Sequence, residues 1–243
     1  MNLLKILYKI KYMFSKDIEI DGIIFPSKNL AITLLIQRKD CNNIRKMNKL
    51  KIEKIKDLDL EGLQYLSNIK VLDICECELI NAKPLMQLTA LENLNLYQNV
   101  GIKYGLLTTL YNLKYLIIAD KSLNDISFLR DMTQIEYLYI CTNSIEDISS
   151  LRYLRNLKGL DISENPIKDC TPIRELESLE ELEAADLNLN NIEFLSSLRK
   201  IRTLDLTNNN ILDLTPLKKL TNLEELYLED LGENVAKYYI TED

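Results

Sequence analysis

The stretch LKGLDISENPIKDCTPIRELES, residues 157–178, combines a strand pattern, a turn signal and a helix start within 22 residues. Its opening, LKGLDI, places apolar side chains on one face of a short strand, because successive side chains of a strand point to opposite faces. The ENP at 164–166 is typical of a turn. The CTPI at 170–173 is typical of a first helical turn, where proline costs no hydrogen bond. One strand, one turn and one short helical segment are therefore predicted in this unit.

The same pattern recurs every 22 residues along most of the chain, which is the signature of a repeat architecture. Successive copies begin at Ile69, Leu91, Leu113, Ile135, Leu157, Leu179, Ile201 and Leu223, and a copy in phase precedes them at Met47. Apolar residues recur at positions 1, 4, 6, 11, 14, 17 and 20 of each copy. A single copy buries too few of them to offset its loss of chain entropy, so the copies are expected to stack.

Polar residues also recur at fixed positions of the copies. Position 9 is asparagine in four copies and cysteine in another, namely Asn99, Asn143, Asn165, Asn209 and Cys77. An asparagine there can bond backbone groups of the turn that no strand ladder reaches, so we predict a structural ladder of these four asparagines. Aspartate or asparagine recurs at position 13, and serine or threonine at position 15, residue types that cap the start of a helical turn.

This pattern resembles the leucine-rich repeat, L-x-x-L-x-L-x-x-[N/C]-x-L, over about residues 47–231. The second half of each copy, as in IEDISSL and ILDLTPL, is similar to the 22-residue class of bacterial internalins and of the regulatory subunit of protein phosphatase 1. The resemblance implies an α/β fold, a right-handed solenoid with a parallel sheet on its concave face and short turns or 3-10 segments on its convex face. It assigns no individual binding residue.

The 22-residue phase divides the chain into three predicted parts. Residues 47–231 form the repeat array, and residues 232–243 form a C-terminal tail. Residues 1–46 are expected to form an N-terminal cap, with an amphipathic helix followed by two or three short strands, because the open end of an array needs a cover. Two alternatives stay open for residues 1–16, which could instead lie on a membrane surface or be a degenerate signal or anchor.

Composition argues against catalysis. The sequence has no histidine, so the usual nucleophile–base pairs cannot form, and its six glycines are too scattered for a phosphate loop. Its five cysteines include one close pair, Cys75 and Cys77, which supplies too few ligands for a zinc site. We therefore predict a protein that is not an enzyme, with no catalytic residues, no metal and no cofactor. The odd, irregularly spaced cysteines favour a reducing, cytoplasmic compartment.

Charge is distributed unevenly along the chain. Residues 1–56 carry a net charge of +8, residues 57–156 carry −5, and residues 157–243 carry −10, within a total of −7. An acidic array is a poor match for a polyanion, so we predict no nucleic-acid partner. The same acidity favours a partner with a basic surface.

The outward face of the predicted sheet carries the candidate binding residues. Equal positions in neighbouring copies lie side by side, about 4.7–4.9 Å apart. Three adjacent strands thus bring one apolar and aromatic patch together: Tyr97, Tyr115, Ile117, Tyr137 and Tyr139. An acidic zone follows beside it: Asp161, Glu164, Glu181, Glu183, Asp186, Asp205, Glu225, Glu229 and Asp230. The plainer interpretation is that tyrosine suits strands and that acidic residues keep the surface soluble.

Together these features predict a non-catalytic scaffold that binds a protein partner through its concave, tyrosine-rich and acidic surface. Among the candidate residues, Asp161, Glu183 and Asp205 represent the acidic zone. The phosphatase-regulator resemblance implies one class of partner, a catalytic subunit. The alternative is a secreted or surface-exposed adhesin or effector of internalin type that recognises a host protein.

Overall fold

The computed structural model describes residues 18–37 and 43–228. The predicted helix of residues 1–16, the tail of residues 232–243 and two members of the acidic zone, Glu229 and Asp230, lie outside these residues. The chain forms two compact units, Met1–Leu113 and Lys114–Asp243.

The first unit begins with a two-residue hairpin. Strands β1 (Ile18–Ile20) and β2 (Ile23–Phe25) pair antiparallel. Asp21 and Gly22 between them have φ of 50° and 77°, which is the conformation of a type I′ turn and suits an Asp-Gly pair. Alternate residues of both strands are buried, so the hairpin packs one face against the core.

A helix follows where the sequence analysis left room for a third strand. Helix α1 spans Lys28–Gln37 and buries Leu30, Ala31 and Leu34, a spacing that places the three side chains on one helix face. The Ser27 hydroxyl accepts a hydrogen bond from the Leu30 N–H at 3.2 Å and caps the first turn. The hairpin thus supplies two of the two or three predicted strands, and helix α1 takes the place of the third, because the cap and the buried face outweigh the β-branched residues in the helix.

The end of this helix covers the backbone of the first strand of the main sheet. Strand β3 spans Lys49–Glu53. The Lys51 N–H donates to Gln37 Oε1 at 2.9 Å, and Gln37 Nε2 donates to the Lys51 carbonyl. One side-chain amide thus replaces the partner that a neighbouring strand would supply to an exposed edge.

The rest of the first unit alternates strands with 3-10 turns. Its further strands are β4 (Leu58–Asp59), β5 (Val71–Cys75), β6 (Leu79–Asn81) and β7 (Asn93–Asn95). Strands β3, β5 and β7 pair in parallel, and β4 and β6 form a separate parallel pair. The 3-10 segments are Ile44–Lys46, Leu63–Tyr65, Lys83–Gln87 and Tyr104–Thr109.

The second unit repeats one strand and one 3-10 turn with a 22-residue register. Its six parallel strands are β8 (Tyr115–Ile117), β9 (Tyr137–Tyr139), β10 (Gly159–Asp161), β11 (Glu181–Glu183), β12 (Thr203–Asp205) and β13 (Glu225–Tyr227). The 3-10 segments are Ser127–Asp131, Ser149–Tyr153, Thr171–Glu175, Glu193–Ser197 and Thr215–Lys219. The prediction of a leucine-rich-repeat solenoid with a parallel sheet and 3-10 turns is confirmed.

Buried asparagines join neighbouring copies. Asn165 Nδ2 donates to the carbonyls of Ile140, in the preceding copy, and Ile162, in its own, at 2.8 and 2.9 Å. Its Oδ1 accepts from the Ile145 N–H at 3.1 Å. The other asparagines at position 9 make similar bonds to backbone groups, namely Asn99, Asn143 and Asn209. Each amide therefore satisfies backbone groups of two copies at once.

The acidic residues at position 13 order the start of the 3-10 turns. Asp169 Oδ1 accepts the Thr171 N–H at 2.8 Å, and its Oδ2 accepts the Thr171 hydroxyl at 2.8 Å. These two hydrogen bonds lower the pKa of the Asp169 carboxyl, because they favour its charged form. The equivalent backbone bond is made by Asp125, Asp147, Asn191 and Asp213.

The residue before the asparagine position adopts left-handed backbone in most copies, which the sequence pattern did not predict. At position 8, φ lies between 51° and 57° in seven copies: Lys54, Glu76, Gln98, Thr142, Glu164, Asp186 and Asn208. This conformation is unfavourable for side chains other than glycine and asparagine, and most of all for β-branched ones. Thr142, the one β-branched residue among the seven, is therefore the most strained of them.

Position 2 carries charges that alternate in sign along the chain: Lys70, Glu92, Lys114, Glu136, Lys158, Glu180, Arg202 and Glu224. In the second unit, the Glu136 carboxylate lies 2.9 Å from Lys114 Nζ and 2.7 Å from Lys158 Nζ. Hydrogen bonds from these two lysines lower the pKa of Glu136. Because like charges are separated by two copies, each neighbour along this row within the second unit is an opposite charge.

We predict that Asn165→Ala lowers the free energy of unfolding by about 1–3 kcal/mol, because it leaves buried backbone groups unpaired. Chemical denaturation followed by circular dichroism measures the change. Asn190→Ala is the matched control, since Asn190 is exposed and its loss should have little effect. An Asn165→Ala protein as stable as wild type would contradict a structural role for the ladder.

We predict opposite effects for two exchanges at position 8. Thr142→Asn should raise the free energy of unfolding by about 0.5–1 kcal/mol, because asparagine tolerates left-handed backbone better than threonine. Asn208→Thr should lower it by a similar amount, since the two residues share φ values of 54° and 57°. Equal stability of both variants and wild type, measured by urea denaturation, would show that this backbone carries no strain.

Candidate functional site

Strands β8 and β9 present half-buried tyrosines on the face opposite the core. Their middle residues, Leu116 and Leu138, are fully buried, so the flanking residues point to the other face. Parallel pairing sets Tyr115 beside Tyr137 and Ile117 beside Tyr139. Four of the predicted patch residues are therefore together on two adjacent strands.

The tyrosine rings contact one another. The centroid of the Tyr115 ring lies 5.2 Å from that of Tyr139 and 6.0 Å from that of Tyr137, with interplanar angles of 37° and 34°. These separations are those of stabilising aromatic pairs. Partial desolvation, with Tyr115 and the carboxylates of Glu181 and Glu183 contributing further, raises the pKa of Tyr139. Tyr139 is thus neutral at physiological pH and lies within the electrostatic influence of the acidic strand β11.

Tyr97, the fifth predicted patch residue, belongs to the first unit. It follows β7, and its N–H donates to Asn95 Oδ1 at 3.0 Å. Its side chain is 41% exposed.

Strand β10 forms the floor of a trough between the tyrosines and the next carboxylates. All three of its residues are buried, including Gly159 and Asp161 on the outward face. A methyl group at Gly159 would lie 2.7 Å from Tyr137 Cδ1 and 3.5 Å from Glu181 Oε2. The absence of a side chain there therefore lets an aromatic ring and a carboxylate approach the same point from opposite sides.

Asp161 lies in this floor and is only 7% exposed. One carboxylate oxygen accepts the Ser163 N–H at 2.9 Å. Burial, together with a hydrogen bond to Asp161, raises the pKa of the Cys141 thiol to about 12. The Cys141 thiol is therefore neutral. The hydrogen-bond partners found for the nearly buried Asp161 carboxylate are thus both uncharged, namely this thiol and the Ser163 N–H.

Strands β11 and β12 supply the acidic wall. Asp161, Glu183 and Asp205 are paired in register across three strands. Partial desolvation, followed by the negative charges of Asp161, Asp205 and Glu181, raises the pKa of Glu183. We call the combined surface the tyrosine–acid face, defined by Tyr115, Ile117, Tyr137, Tyr139, Asp161, Glu181, Glu183 and Asp205.

Positive charge is missing from this face within the part of the chain that the structure describes. The ion pairs of the described residues all involve carboxylates that lie outside this face. Across residues 18–37 and 43–228, no group of three or more acidic or cysteine side chains is arranged to hold a metal ion. The negative charge of the face therefore lacks a described counter-charge from the protein.

Solved structures with this fold include internalins of Listeria monocytogenes. Internalin C2 matches with a TM-score of 0.76 at 28% sequence identity, and the match covers 84% of this chain and 94% of that chain. This chain is a leucine-rich-repeat protein that resembles the internalins. No protein-family model and no curated protein matches the sequence.

Two further structures show the leucine-rich-repeat fold alone. Internalin InlF of the same species has a TM-score of 0.68 and 24% identity, over 85% of this chain and 70% of that chain. The plant peptide hormone receptor RGFR1, in complex with RGF2, has a TM-score of 0.59 and 14% identity. The match covers 76% of this chain and 32% of that chain. In the described residues of our leucine-rich-repeat protein, no helix is long and apolar enough to cross a membrane.

Sequence reasoning on the leucine-rich-repeat protein missed two features of the site. It treated Asp161 as an outward, accessible carboxylate, whereas the neighbouring side chains cover it. It also gave Gly159 no role, although a glycine inside a strand often marks a place where other groups approach the backbone closely. Position 3 of the copies could have revealed it, because Gly159 follows Tyr115 and Tyr137 and precedes Glu181 at that position.

The raised pKa of Glu183 predicts a specific pH dependence of stability. A carboxyl whose pKa is higher in the folded state destabilises the fold when ionised, so stability falls as pH rises through the folded-state pKa. Glu183→Gln should therefore stabilise the protein at neutral pH by less than about 1 kcal/mol, since water still reaches the carboxylates. The gain should shrink below the pKa of an unfolded glutamate. Thermal unfolding across pH 3–8 measures it.

Asp213→Asn is the control of opposite sign. Hydrogen bonds from Thr215 lower the pKa of Asp213, so its stabilising contribution is present at neutral pH and is lost on acidification. This variant should be less stable than wild type at neutral pH, with the difference vanishing in acid. A Glu183→Gln protein that is destabilised at neutral pH would refute the assignment of repulsion among these carboxylates.

Proposed function

We propose that this leucine-rich-repeat protein is a non-catalytic scaffold that binds a protein partner through the tyrosine–acid face. The observation that carries the proposal is the juxtaposition of contacting, half-buried tyrosines with carboxylates that have no described cationic partner. A surface of this kind offers apolar area for affinity and charge for orientation. A repeat array that presents it on a rigid parallel sheet needs little reorganisation to bind.

The tyrosines supply the affinity in this proposal. Tyrosine is enriched among the few residues that dominate binding energy, because its rigid ring buries apolar area while its hydroxyl keeps a polar contact. Tyr115 contacts both Tyr137 and Tyr139, which holds the three rings in a limited set of positions. Truncation of any one should therefore weaken the anchor that the others form.

The carboxylates supply selectivity and speed. Glu183 and Asp205 lie side by side in register, and their charges attract a basic surface over distances of about one Debye length, roughly 8–10 Å at moderate salt. Exposed charges of this kind change the association rate more than the lifetime of a complex. The partner proposed here is therefore a protein with a basic contact surface.

One observation favours a cytoplasmic scaffold, and another favours a peptide or protein ligand. Four cysteines in the described residues are unbridged: Cys75, Cys77, Cys141 and Cys170. Free cysteines are typical of a reducing compartment. A plant receptor with the same fold is in complex with RGF2, which supports the use of this fold for ligand binding.

The alternative function is that of a secreted or surface-exposed adhesin or effector that binds a host protein. Similarity to internalin C2 at 28% identity favours it. Fractionation of the native cells, with the protein detected by antibody, separates the two. Recovery in the medium or on the cell surface would favour the adhesin or effector, and recovery with cytoplasmic markers would favour the scaffold.

We predict that Tyr115→Ser, Tyr137→Ser and Tyr139→Ser each cost more than about 1 kcal/mol of affinity for the partner. Affinity capture from the native cell supplies that partner, and calorimetric titration of each variant measures the loss. Glu183→Lys and Asp205→Lys should instead slow association and flatten its dependence on salt.

Tyr111→Ser is the matched control, because Tyr111 is exposed in the first unit and does not belong to the tyrosine–acid face. It should bind like wild type. Circular dichroism must show that all variants are folded. A folded triple variant of Tyr115, Tyr137 and Tyr139 with wild-type affinity would move the binding site to another surface.

A further inference from the structure

Strand β6 and the matching segment of the next copy carry exposed apolar side chains side by side. The Leu79 N–H donates to the Val100 carbonyl at 2.9 Å, and Val100 is bridged in parallel to Glu78. Ile80 is 64% exposed and Val100 is 52% exposed. Two residues further in the same register, half-buried Ile102 lies beside Ile80 on the face that Val100 shares. We call Ile80, Val100 and Ile102 the aliphatic patch.

The two positions that form the aliphatic patch are mostly polar in the five copies that follow. Position 12, held here by Ile80 and Ile102, is there Asn124, Glu146, Lys168, Asn190 and Leu212. Position 10, held here by Val100, is there Ser122, Ser144, Pro166, Asn188 and Asn210. Single exposed apolar side chains such as Leu212 are ordinary, whereas contiguous ones mark interaction sites.

The copy that begins at Leu91 also gives up two regular features of the repeat at this place. Position 13 is Lys103 in place of aspartate or asparagine, and the 3-10 segment after it lacks a side-chain cap. Position 11 is Gly101, with φ of 87°, where a methyl group would lie 2.0 Å from the Leu79 carbonyl oxygen. Glycine thus lets the segment of Val100 lie directly against β6. Departures from a local rule are expected at functional sites.

Opposite charges flank the aliphatic patch at its two ends. Glu78 precedes Ile80 and Lys103 follows Ile102, and both charged side chains are exposed. Neither forms an ion pair with another residue in the part of the chain that the structure describes. A patch with an acid at one end and a base at the other is complementary to itself, because a two-fold rotation brings each end opposite the other.

We propose that the aliphatic patch is a contact surface for a second copy of this chain. The two copies are related by a two-fold axis that lies in the contact plane and runs across the strands. The patch residues of both copies pack together, and Glu78 of each copy pairs with Lys103 of the other. The inference is independent of the proposed function, because none of these residues belongs to the tyrosine–acid face.

The size of the aliphatic patch sets the strength of the contact. Three aliphatic side chains cover much less than the about 800 Å² per partner that a stable interface buries. The dimer is therefore weak and forms only at high protein concentration. A two-fold contact uses the same surface of both copies, so the assembly closes at two.

Sedimentation velocity of the full chain, from micromolar to near-millimolar concentration, tests the dimer directly. The weight-average mass should rise from 28.3 kDa towards twice that value and no further.

Substitutions in the aliphatic patch locate the contact. Ile80→Ser and Val100→Ser together should weaken dimerisation by about tenfold or more, because each copy then loses two aliphatic side chains from the contact. Leu212→Ser is the matched control, since Leu212 is a single apolar residue at position 12 of another copy and is 63% exposed. This control should dimerise like wild type.

Two charge reversals test the two-fold arrangement. Glu78→Lys alone and Lys103→Glu alone each place like charges opposite one another, so each variant should dimerise severalfold more weakly than wild type. An equimolar mixture of the two variants should dimerise again, because every pair across the contact then joins a base to an acid. A defect within either variant's own fold cannot produce this restoration.

Several results would overturn the two-fold contact. They are a wild-type chain that stays monomeric at every concentration, assembly beyond two copies, equal effects of the patch substitutions and Leu212→Ser, or a mixture no more associated than its components. Circular dichroism checks the folding of each variant, and the wild-type measurement decides the dimer even where a variant is unfolded. The proposed function is tested separately by the tyrosine variants, whatever the sedimentation shows.

Discussion

Backbone groups in the turn after each strand are buried beside the core, beyond the reach of the sheet's own hydrogen bonds. The asparagine at position 9 resolves this constraint, because its amide both donates and accepts. Asn165 bonds a carbonyl of the preceding copy, Ile140, and one of its own, Ile162. The same atoms thus close a turn and attach one copy to the next. In an array where each copy contacts only its neighbours, stability depends on such links being repeated.

The 22-residue period was sufficient to predict a stacked repeat array, because every copy supplies the same evidence again, and its resemblance to the leucine-rich repeat implied the parallel sheet and the 3-10 turns. The chain before the array offers no such repetition. There, two or three short strands were predicted, although Ser27 before the segment is a good helix cap. Helix α1 forms because Leu30 and Leu34 share one buried face, a relation that depends on the surface they pack against.

The alternation of strand residues predicted which side chains share the outer face, and the second unit brings Tyr115, Tyr137 and Tyr139 into contact. Alternation could not predict how much of each side chain stays accessible. Asp161 is covered because larger side chains stand on both neighbouring strands. Left-handed backbone at position 8 escaped prediction for a related reason: residues as different as Thr142 and Glu164 adopt it, so the conformation is imposed by the stacked turns.

The alternating charges at position 2 give the array a second, longer period. Each copy is 22 residues long, but the sign of its charge returns only after two copies, from Lys114 to Lys158 and from Glu136 to Glu180. Removing one copy would place two like charges side by side, whereas removing two would keep the row intact. The row also opposes a slip of one copy during folding, since every strand would then meet a neighbour of its own sign. The unit by which this protein can grow or shrink without electrostatic cost is therefore a pair of repeats.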